Sequence, residues 1–204
     1  MNFEFSIFGT LRERPRIYVM DGFATLEECR HLRDVGADAR RLARWGVTTK
    51  HDYTGFSFEL PLAQDPTAAA ISERIRAALG VVNAFPGTLR FRRYARSEAH
   101  PPHIDNFQIE EFDLVATALV ALDTPEEGGE TAFPCADPPL AVALRAGRLL
   151  AWLNNAPDGR PDGRAYHEGR PVLRGTKTTV TEFIYAEPGA CELLRRGALA
   201  CATP

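Results

Sequence analysis

The sequence is poor in cysteine and has no long apolar run among its 204 residues. Its four cysteines are widely separated, with no Cys-x-x-Cys pair and no Cys/His spacing that would form a tetrahedral zinc site. No stretch is long and apolar enough to span a bilayer, and residues 1–20 mix apolar side chains with arginine and glutamate, unlike a signal peptide. We therefore expect a cytoplasmic protein with no membrane partner and with reduced thiols at Cys29, Cys135, Cys191 and Cys201.

The sequence also lacks an excess of charge of either sign. Lysine and arginine number 24 and aspartate and glutamate 27, for a formal net charge of -3. A protein that binds a polyanion usually carries a basic surface, so nucleic acid is not expected as a partner. The 45% of hydrophobic and 25% of charged residues are ordinary for a globular protein, and the length predicts one domain with its own core.

The first part of the chain predicts a short strand followed by a helix. Residues 16–20 are typical of a strand, and Thr25 with Glu28 forms the pattern of a capping box, which begins a helix. Gly36 is a plausible left-handed stop for that helix. The residues at helical spacing between these ends are Leu26, Cys29, Leu32 and Val35.

A second helix is predicted to begin at Pro66, with Asp65 as its N-cap, and to end at Gly80. Its apolar face is formed by Ile71, Ile75, Ala78 and Leu79. The N-terminal segment of about residues 1–85 is therefore expected to be mixed, with helices that support the rest of the domain.

From about residue 88 the pattern changes to short segments rich in β-branched and aromatic residues, separated by turn signals. Many short strands without helices between them indicate a sandwich or jelly roll rather than a parallel α/β sheet. We predict a mainly β fold with flanking α-helices, a β-core over about residues 86–186 and a tail at 187–204. The candidate strands are residues 89–94, 114–122, 140–144, 149–153 and 178–185.

A possible metal site begins with His103 and Asp105. In an extended chain residues i and i+2 point to the same side, so this imidazole and carboxylate project together. His167, which follows a loop rich in proline and glycine, is available as a third ligand. Two histidines and one carboxylate are a ligand set typical of non-haem iron(II) oxygenases, because they leave coordination positions open. A single His-x-Asp pair is weak evidence by itself, since it also arises by chance in an exposed loop.

Three motifs together resemble the prolyl 4-hydroxylase-like branch of the iron(II) and 2-oxoglutarate dependent oxygenases. They are His103-x-Asp105, the stretch Gly-Gly-Glu-Thr-Ala-Phe-Pro at 128–134, and the pattern His-x-Gly-x-Pro-Val-x-x-Gly-x-Lys at 167–177. They follow the order and approximate spacing of that family. The resemblance covers residues 16–186 and implies a double-stranded β-helix (jelly-roll) core in which His103, Asp105 and His167 bind iron and catalyse the reaction.

The resemblance also implies that Lys177 pairs with the distal carboxylate of 2-oxoglutarate. A buried carboxylate needs a cationic or strongly hydrogen-bonding partner to offset its desolvation, although without the motif a solvated lysine at a strand end is the more common interpretation of Lys177. Tyr94 lies where the family has a tyrosine that commonly touches the cosubstrate, and it could instead be a half-buried strand aromatic. Thr117 and Thr131 are further candidates for cosubstrate binding, while threonine is also common in strands for reasons of β propensity.

The implied function is a dioxygenase that uses Fe(II), 2-oxoglutarate and O2, with ascorbate as a possible stimulant. It would hydroxylate an unactivated C–H bond of an amino acid, short peptide or small metabolite and release succinate and CO2, with a prolyl-type substrate as the first candidate. Desaturation or ring formation, and a non-redox cupin-like metal-binding module, are the alternatives. Any of six arginines near the ligands could bind a carboxylate of the substrate. They are Arg90, Arg92, Arg93, Arg96, Arg164 and Arg170.

Overall fold

The structure is a computed structural model that describes residues 9–13, 16–156 and 158–187. Almost all of the predicted tail, with Cys191 and Cys201, lies outside these residues. The helices are α1 (Leu26–Ala37), α2 (Ala39–Arg44) and α3 (Pro66–Leu79). The strands are β1 (Gly9–Glu13), β2 (Arg16–Met20), β3 (Lys50–Asp52), β4 (Gly55–Pro61), β5 (Thr88–Tyr94), β6 (His100–His103), β7 (Gln108–Ile109), β8 (Phe112–Ala121), β9 (Glu127–Gly128), β10 (Thr131–Phe133), β11 (Leu140–Val142), β12 (Leu149–Leu153), β13 (His167–Gly169), β14 (Val172–Arg174) and β15 (Lys177–Ala186).

Two facing antiparallel sheets form the jelly roll. The larger sheet has nine strands in the order β1-β2-β12-β8-β15-β5-β4-β3, with β7 added to β8. The smaller sheet has the order β11-β10-β13-β6, and β14 pairs separately with β9. The predicted mainly β fold with a jelly-roll core is therefore confirmed.

Each face of the larger sheet packs against a different layer. Along β8, Ala118 and Val120 belong to one hydrophobic cluster, which also contains Leu32 of α1 and Ile75 of α3. The intervening residues face the smaller sheet and form a second cluster, which includes Leu119, Ala121, Phe133, Leu150 and Trp152. This period of two is the alternation expected of a strand. The helices thus cover the outer face of the larger sheet, and the inner face encloses the space between the two sheets.

The N-terminal segment contributes more than helical support. Besides the predicted strand β2, strands β1, β3 and β4 of this segment belong to the larger sheet. Short polar strands such as β3 carry almost no apolar alternation, so their sequence gives little sign of them. No helix in the described residues is long and apolar enough to cross a membrane.

The predicted helix starts are confirmed, and one predicted helix end is wrong. Thr25 and Glu28 form the capping box of α1, and α3 runs from Pro66 to a left-handed Gly80. Gly36 is not a stop, because α1 continues through it to Ala37. It is buried against Phe91, whose Cζ lies 2.2 Å from the position that a Cβ at residue 36 would occupy. The glycine is needed for close packing of the helix on the sheet.

Candidate metal and cosubstrate site

Strand pairing brings the three predicted metal ligands together. His167 on β13 lies opposite His103 on β6, and their ring centroids are 4.3 Å apart. Asp105 follows β6 directly, and its two carboxylate oxygens lie 3.3 Å from Nε2 of His103 and 3.7 Å from Nε2 of His167. One ligand atom from each of the three residues lies within 4.8 Å of the others. Two residues close in the chain and a third 62 positions after Asp105 thus face one point.

Both imidazoles are oriented by backbone carbonyls. Nδ1 of His103 lies 2.9 Å from the carbonyl oxygen of Pro101, and Nδ1 of His167 lies 2.9 Å from that of Ala165. Nδ1 of each ring is therefore placed to donate to a carbonyl, and Nε2 of each ring faces the Asp105 carboxylate. Metal-binding histidines are commonly held in this way, and two nitrogens with one carboxylate are a donor set that iron(II) accepts. The residues present therefore fit a ferrous ion.

The pKa values of His103, Asp105 and His167 depend on the contacts among these three residues. Burial would raise the pKa of Asp105, but the hydrogen bond from His103 and the neighbouring imidazoles hold it below its usual value. Burial would likewise lower the pKa of His103, and the contact with Asp105 raises it instead. For His167 burial prevails and lowers the pKa. Asp105 is therefore a carboxylate, as a metal ligand must be.

A buried hydrogen-bond chain holds the Asp105 carboxylate. The hydroxyl of Thr117 on β8 donates to Oδ2 of Asp105 at 2.7 Å, and Nδ2 of Asn154 donates to the Thr117 hydroxyl at 3.0 Å. Thr117 was predicted to bind the cosubstrate. In the structure Thr117 lines a cavity between the two sheets, but its hydroxyl contacts Asp105. Asn154, which the sequence did not single out, follows β12 immediately.

Lys177 lies at the start of β15 and points into the cavity. Its side chain is 3% exposed, so it is not a solvated lysine at a strand end. It pairs in register with Tyr94 of β5, and its Nζ lies 5.1 Å from the centre of the Tyr94 ring. Burial lowers the pKa of Lys177 to about 8, and Glu130 partly opposes this effect. Burial also raises the pKa of Tyr94 to about 12, so its hydroxyl stays protonated.

The beginning of β15 is anchored by a buried carboxylate that the sequence did not indicate. Asp123 accepts hydrogen bonds from the backbone nitrogen and the hydroxyl of Thr178, both at 2.7 Å, and from the hydroxyl of Thr176 at 3.0 Å. These bonds secure the residues on both sides of Lys177. The lysine therefore projects from a backbone that is held in place, which suits a fixed anion-binding role.

Two buried donors in the cavity have no hydrogen-bond partner within the described residues. They are the hydroxyl of Thr131 on β10 and Nε1 of Trp152 on β12. Buried polar groups usually have a partner, so two orphans in one cavity indicate that a polar ligand supplies it. Thr131 was a predicted cosubstrate contact, whereas Trp152 was missed. The sequence indicated only that Trp152 belongs to the strand at 149–153. The alternation of residues along a strand does not show which of its two faces is functional.

All seven predicted site residues line a single cavity between the two sheets. They are Tyr94, His103, Asp105, Thr117, Thr131, His167 and Lys177. The structure adds residues on β5, β6, β12 and β15. These are Arg90, Arg92, His100, Trp152, Thr179 and Thr181. His100 lies beside His103 at a ring distance of 4.3 Å, and burial with the neighbouring His103 lowers its pKa to about 4, which places it next to the ligand set as a neutral ring.

Of the six arginines near the ligands in the sequence, two line the cavity and four do not. Arg90 and Arg92 line the cavity. Arg93 points to the opposite face and packs over Phe56. The other three are Arg96, Arg164 and Arg170, which are exposed and do not line this cavity.

The sequence and the fold are both similar to known proteins. The model of the 2OG-Fe(II) oxygenase superfamily matches residues 89–185, which contain every predicted site residue. Probable prolyl 4-hydroxylase 4 of Arabidopsis thaliana is 25% identical over 85% of this chain and 68% of its own length. Prolyl 4-hydroxylase 1 of the same plant is 29% identical over 83% of this chain and 69% of its own length.

Among solved structures, a viral collagen prolyl hydroxylase from Paramecium bursaria Chlorella virus-1, in complex with 2OG, has the same fold. Its TM-score is 0.66 at 20% sequence identity, covering 83% of this chain and 95% of that one. A Pseudomonas putida prolyl 4-hydroxylase gives a TM-score of 0.53 at 19% identity, covering 81% of this chain and 89% of that one. Sequence and fold agree, and the chain belongs to the prolyl 4-hydroxylase-like branch of the 2OG-Fe(II) oxygenase superfamily, dioxygenases that use iron(II) and 2-oxoglutarate.

Proposed function

We propose that His103, Asp105 and His167 hold iron(II) and that Lys177 receives the distal carboxylate of 2-oxoglutarate. The chain then hydroxylates an unactivated C–H bond of an amino acid, a short peptide or a small metabolite, with release of succinate and CO2. The observation that carries this proposal is the convergence of three ligand atoms within 4.8 Å. They share a cavity with a buried lysine that has no ion-pair partner among the described residues.

The other residues of the cavity orient the ligands and bind the cosubstrate. The bound iron supplies a centre at which 2-oxoglutarate and O2 react to oxidise a C–H bond. Thr117 holds Asp105 in its ligating orientation, and the buried hydroxyl of Thr131 donates to the cosubstrate. The Tyr94 ring forms the floor beneath the Lys177 ammonium, and its hydroxyl is a further donor to the cosubstrate. The two sheets exclude bulk water, which strengthens each of these charge interactions.

A prolyl ring, free or in a short peptide, is the first candidate for the substrate. The support is that the relatives in Arabidopsis thaliana and the viral and bacterial structural neighbours are named as prolyl hydroxylases. Fold alone is a weak guide to substrate, so this choice depends on the sequence relatives. Ascorbate is expected to stimulate turnover by keeping the metal reduced.

The proposal is tested with purified protein, added iron(II), ascorbate and 2-oxoglutarate. We expect slow release of succinate without any substrate, and faster release with an accepted prolyl compound. Mass spectrometry of that compound should show the gain of one oxygen atom, whereas a loss of two hydrogens would indicate desaturation. No binding of 2-oxoglutarate and no succinate would leave a metal-binding module without redox turnover, and would refute the proposal.

A further inference from the structure

Two arginines of β5 face the cavity, and they differ in how their charge is balanced. Arg90, Arg92 and Tyr94 alternate along the strand and all line the same cavity, as residues two apart in a strand should. The Arg90 Nε donates to Oε1 of Glu59 on the neighbouring strand β4, so its charge is paired. Arg92 has no carboxylate partner within the part of the chain that the structure describes.

The guanidinium of Arg92 is held by neutral groups. Its Nη1 donates to the carbonyl oxygen of Thr54 at 3.1 Å and to the Thr54 hydroxyl at 2.6 Å. Thr54 is itself fixed by Asp52, which accepts from its backbone nitrogen at 2.8 Å. The guanidinium carbon also lies 5.9 Å from the centre of the Tyr94 ring. The Tyr94 hydroxyl also accepts from the Arg92 side chain, which lowers the Tyr94 pKa against the effect of burial. These contacts fix part of the guanidinium, and the rest of its five N–H groups are available to an incoming acceptor.

A recess beside the metal ligands joins this arginine to an aromatic wall. The recess shares six lining residues with the cavity already described, namely Arg90, Arg92, His100, His103, Asp105 and Phe183. Its remaining lining is formed by Phe107 and Tyr185. Phe107 is 59% exposed, so the recess opens to solvent at that residue. Apolar walls around one fixed polar group are typical of a small-molecule site.

The charges of the loaded site leave Arg92 without a counterion. Asp105 is the single carboxylate lining either the cavity or the recess in the described residues. The ferrous ion and Lys177 carry three positive charges, which the 2-oxoglutarate dianion and Asp105 neutralise. Arg90 is already paired with Glu59. One positive charge therefore remains, at the point where the recess meets the cavity.

We propose that Arg92 binds a carboxylate of the substrate, so that the substrate class is a small carboxylic acid, either a free amino acid or the C-terminal residue of a short peptide. The apolar part of that substrate lies against Phe107, Phe183 and Tyr185, which presents its C–H bonds toward the metal ligands. Arginine suits this task because its fork can bind a carboxylate through two hydrogen bonds. The inference rests on the proposed function and names the substrate class for that site.

The first test compares acids with their primary amides, using the native protein loaded with iron(II), 2-oxoglutarate and ascorbate. The probes are the free L-amino acids, and dipeptides and tripeptides ending in proline, each with a carboxylate and with a carboxamide. Stimulated succinate release and the gain of one oxygen are measured for each member of a pair. We expect the accepted compound to be used at least about tenfold better, by kcat/KM, as the acid than as the amide. The free and peptide series distinguish the two sources of the carboxylate.

Variants assign the preference to one side chain. Arg92→Met keeps much of the volume and removes the charge, and Arg92→Lys keeps the charge but not the fork. We expect Arg92→Met to reduce the acid-to-amide ratio to about one by raising KM for the acid. Arg92→Lys should retain an intermediate ratio, which also shows that the fold tolerates replacement. Arg30→Met, on the exposed side of α1 away from the cavity, is the matched control and should keep the native ratio.

Three outcomes would overturn the inference. It is wrong if no acid in the panel is preferred over its amide, and it is wrong if Arg92→Met keeps the preference. It is also wrong if the main loss in Arg92→Met is in 2-oxoglutarate affinity, measured by calorimetry with nickel(II) in place of iron, because Arg92 would then be part of the cosubstrate site. All three can occur while the native protein still converts 2-oxoglutarate to succinate. Loss of that conversion in the native protein refutes the proposed function instead.

Discussion

The hydroxyl of Thr117 donates a 2.7 Å hydrogen bond to Oδ2 of Asp105 in the interior of the jelly roll. Thr117 is 1% exposed and its own oxygen accepts from Asn154, so neither partner can turn to water. One carboxylate oxygen is thereby held, and the carboxylate plane is fixed relative to the two imidazoles. Thr117 is a residue that β propensity alone would explain at this strand position, and its hydroxyl also orients a metal ligand.

Replacement of Thr117 by valine should weaken metal binding while leaving the fold intact. The change keeps the shape and removes the donor, so Asp105 loses the group that orients it. Residues that orient metal ligands typically contribute roughly ten- to hundredfold in affinity, and we expect a loss in that range. Titration with manganese(II) followed by calorimetry measures it. Thr48→Val, at an exposed position, is the control, and equal affinity in both variants would contradict the assignment.

Removal of a proposed ligand should abolish metal binding and turnover together. His167→Ala and Asp105→Ala each leave two ligands, which cannot hold a ferrous ion in the open three-ligand geometry. We expect no metal retained after gel filtration and no succinate, with an unchanged circular dichroism spectrum. His51→Ala, at an exposed histidine on β3, should behave as native protein. An active, iron-replete Asp105→Ala protein would disprove the ligand set.

Lys177→Met should separate cosubstrate binding from folding stability. A buried lysine without a counterion is costly, so we expect the metal-loaded variant without 2-oxoglutarate to melt at the native temperature or above it. Its 2-oxoglutarate affinity should fall on the order of a hundredfold, because a buried carboxylate would lose its cation. Differential scanning calorimetry with and without 2-oxoglutarate measures both effects. Full stabilisation of the variant by 2-oxoglutarate would remove Lys177 from the site.

The affinity for 2-oxoglutarate should depend on pH through Lys177. Burial lowers its pKa to about 8, with Glu130 and Asp123 favouring the charged form and Arg92 opposing it. The bound dianion requires the ammonium, so the affinity is full below that pKa, and above it binding must take up a proton. We expect the dissociation constant to rise about tenfold per pH unit above pH 8. Calorimetry of the nickel(II) protein in two buffers of different ionisation enthalpy measures the proton, and Lys177→Met should take up none.

The metal ligands and Lys177 could be predicted because they belong to short sequence motifs. His103 and Asp105 share a side because extended chains alternate, and His167 with Lys177 belongs to a contiguous motif. Trp152 could not be chosen in this way, because strand alternation gives two faces and only the packed sheets decide which is inner. Arg90 is paired and Arg92 is not, because Glu59 lies beside Arg90 on a neighbouring strand. The sequence around the two arginines therefore cannot predict which of them has a counterion.

The fold shows the same division between local and distant information. The starts of α1 and α3 follow from capping residues within three positions of one another, and both were predicted. Gly36 was assigned as a stop because glycine commonly ends helices. Its real role depends on Phe91, which is 55 residues away and reaches the helix only once β5 is in the sheet. A long-range packing demand therefore overrode the local rule.

Gly36→Ala should destabilise the protein although alanine is the better helix former. In an exposed helix the change would stabilise by about 1 kcal/mol. Here the new methyl group would lie 2.2 Å from Cζ of Phe91, which is fully buried, so the ring or the helix must move. Such overpacking typically costs about 1–3 kcal/mol, and we expect a lower midpoint in urea unfolding.

Gly46→Ala would not be a matched control because its φ is 69°. The control is the comparison of Arg33→Ala with Arg33→Gly at an exposed position inside the same helix. There alanine should be more stable than glycine by about 1 kcal/mol through propensity alone. In a Phe91→Leu background Gly36→Ala should cost less than it does in the native protein, since the smaller side chain makes room for the methyl group. An equal cost in both backgrounds would show that the ring is not the cause.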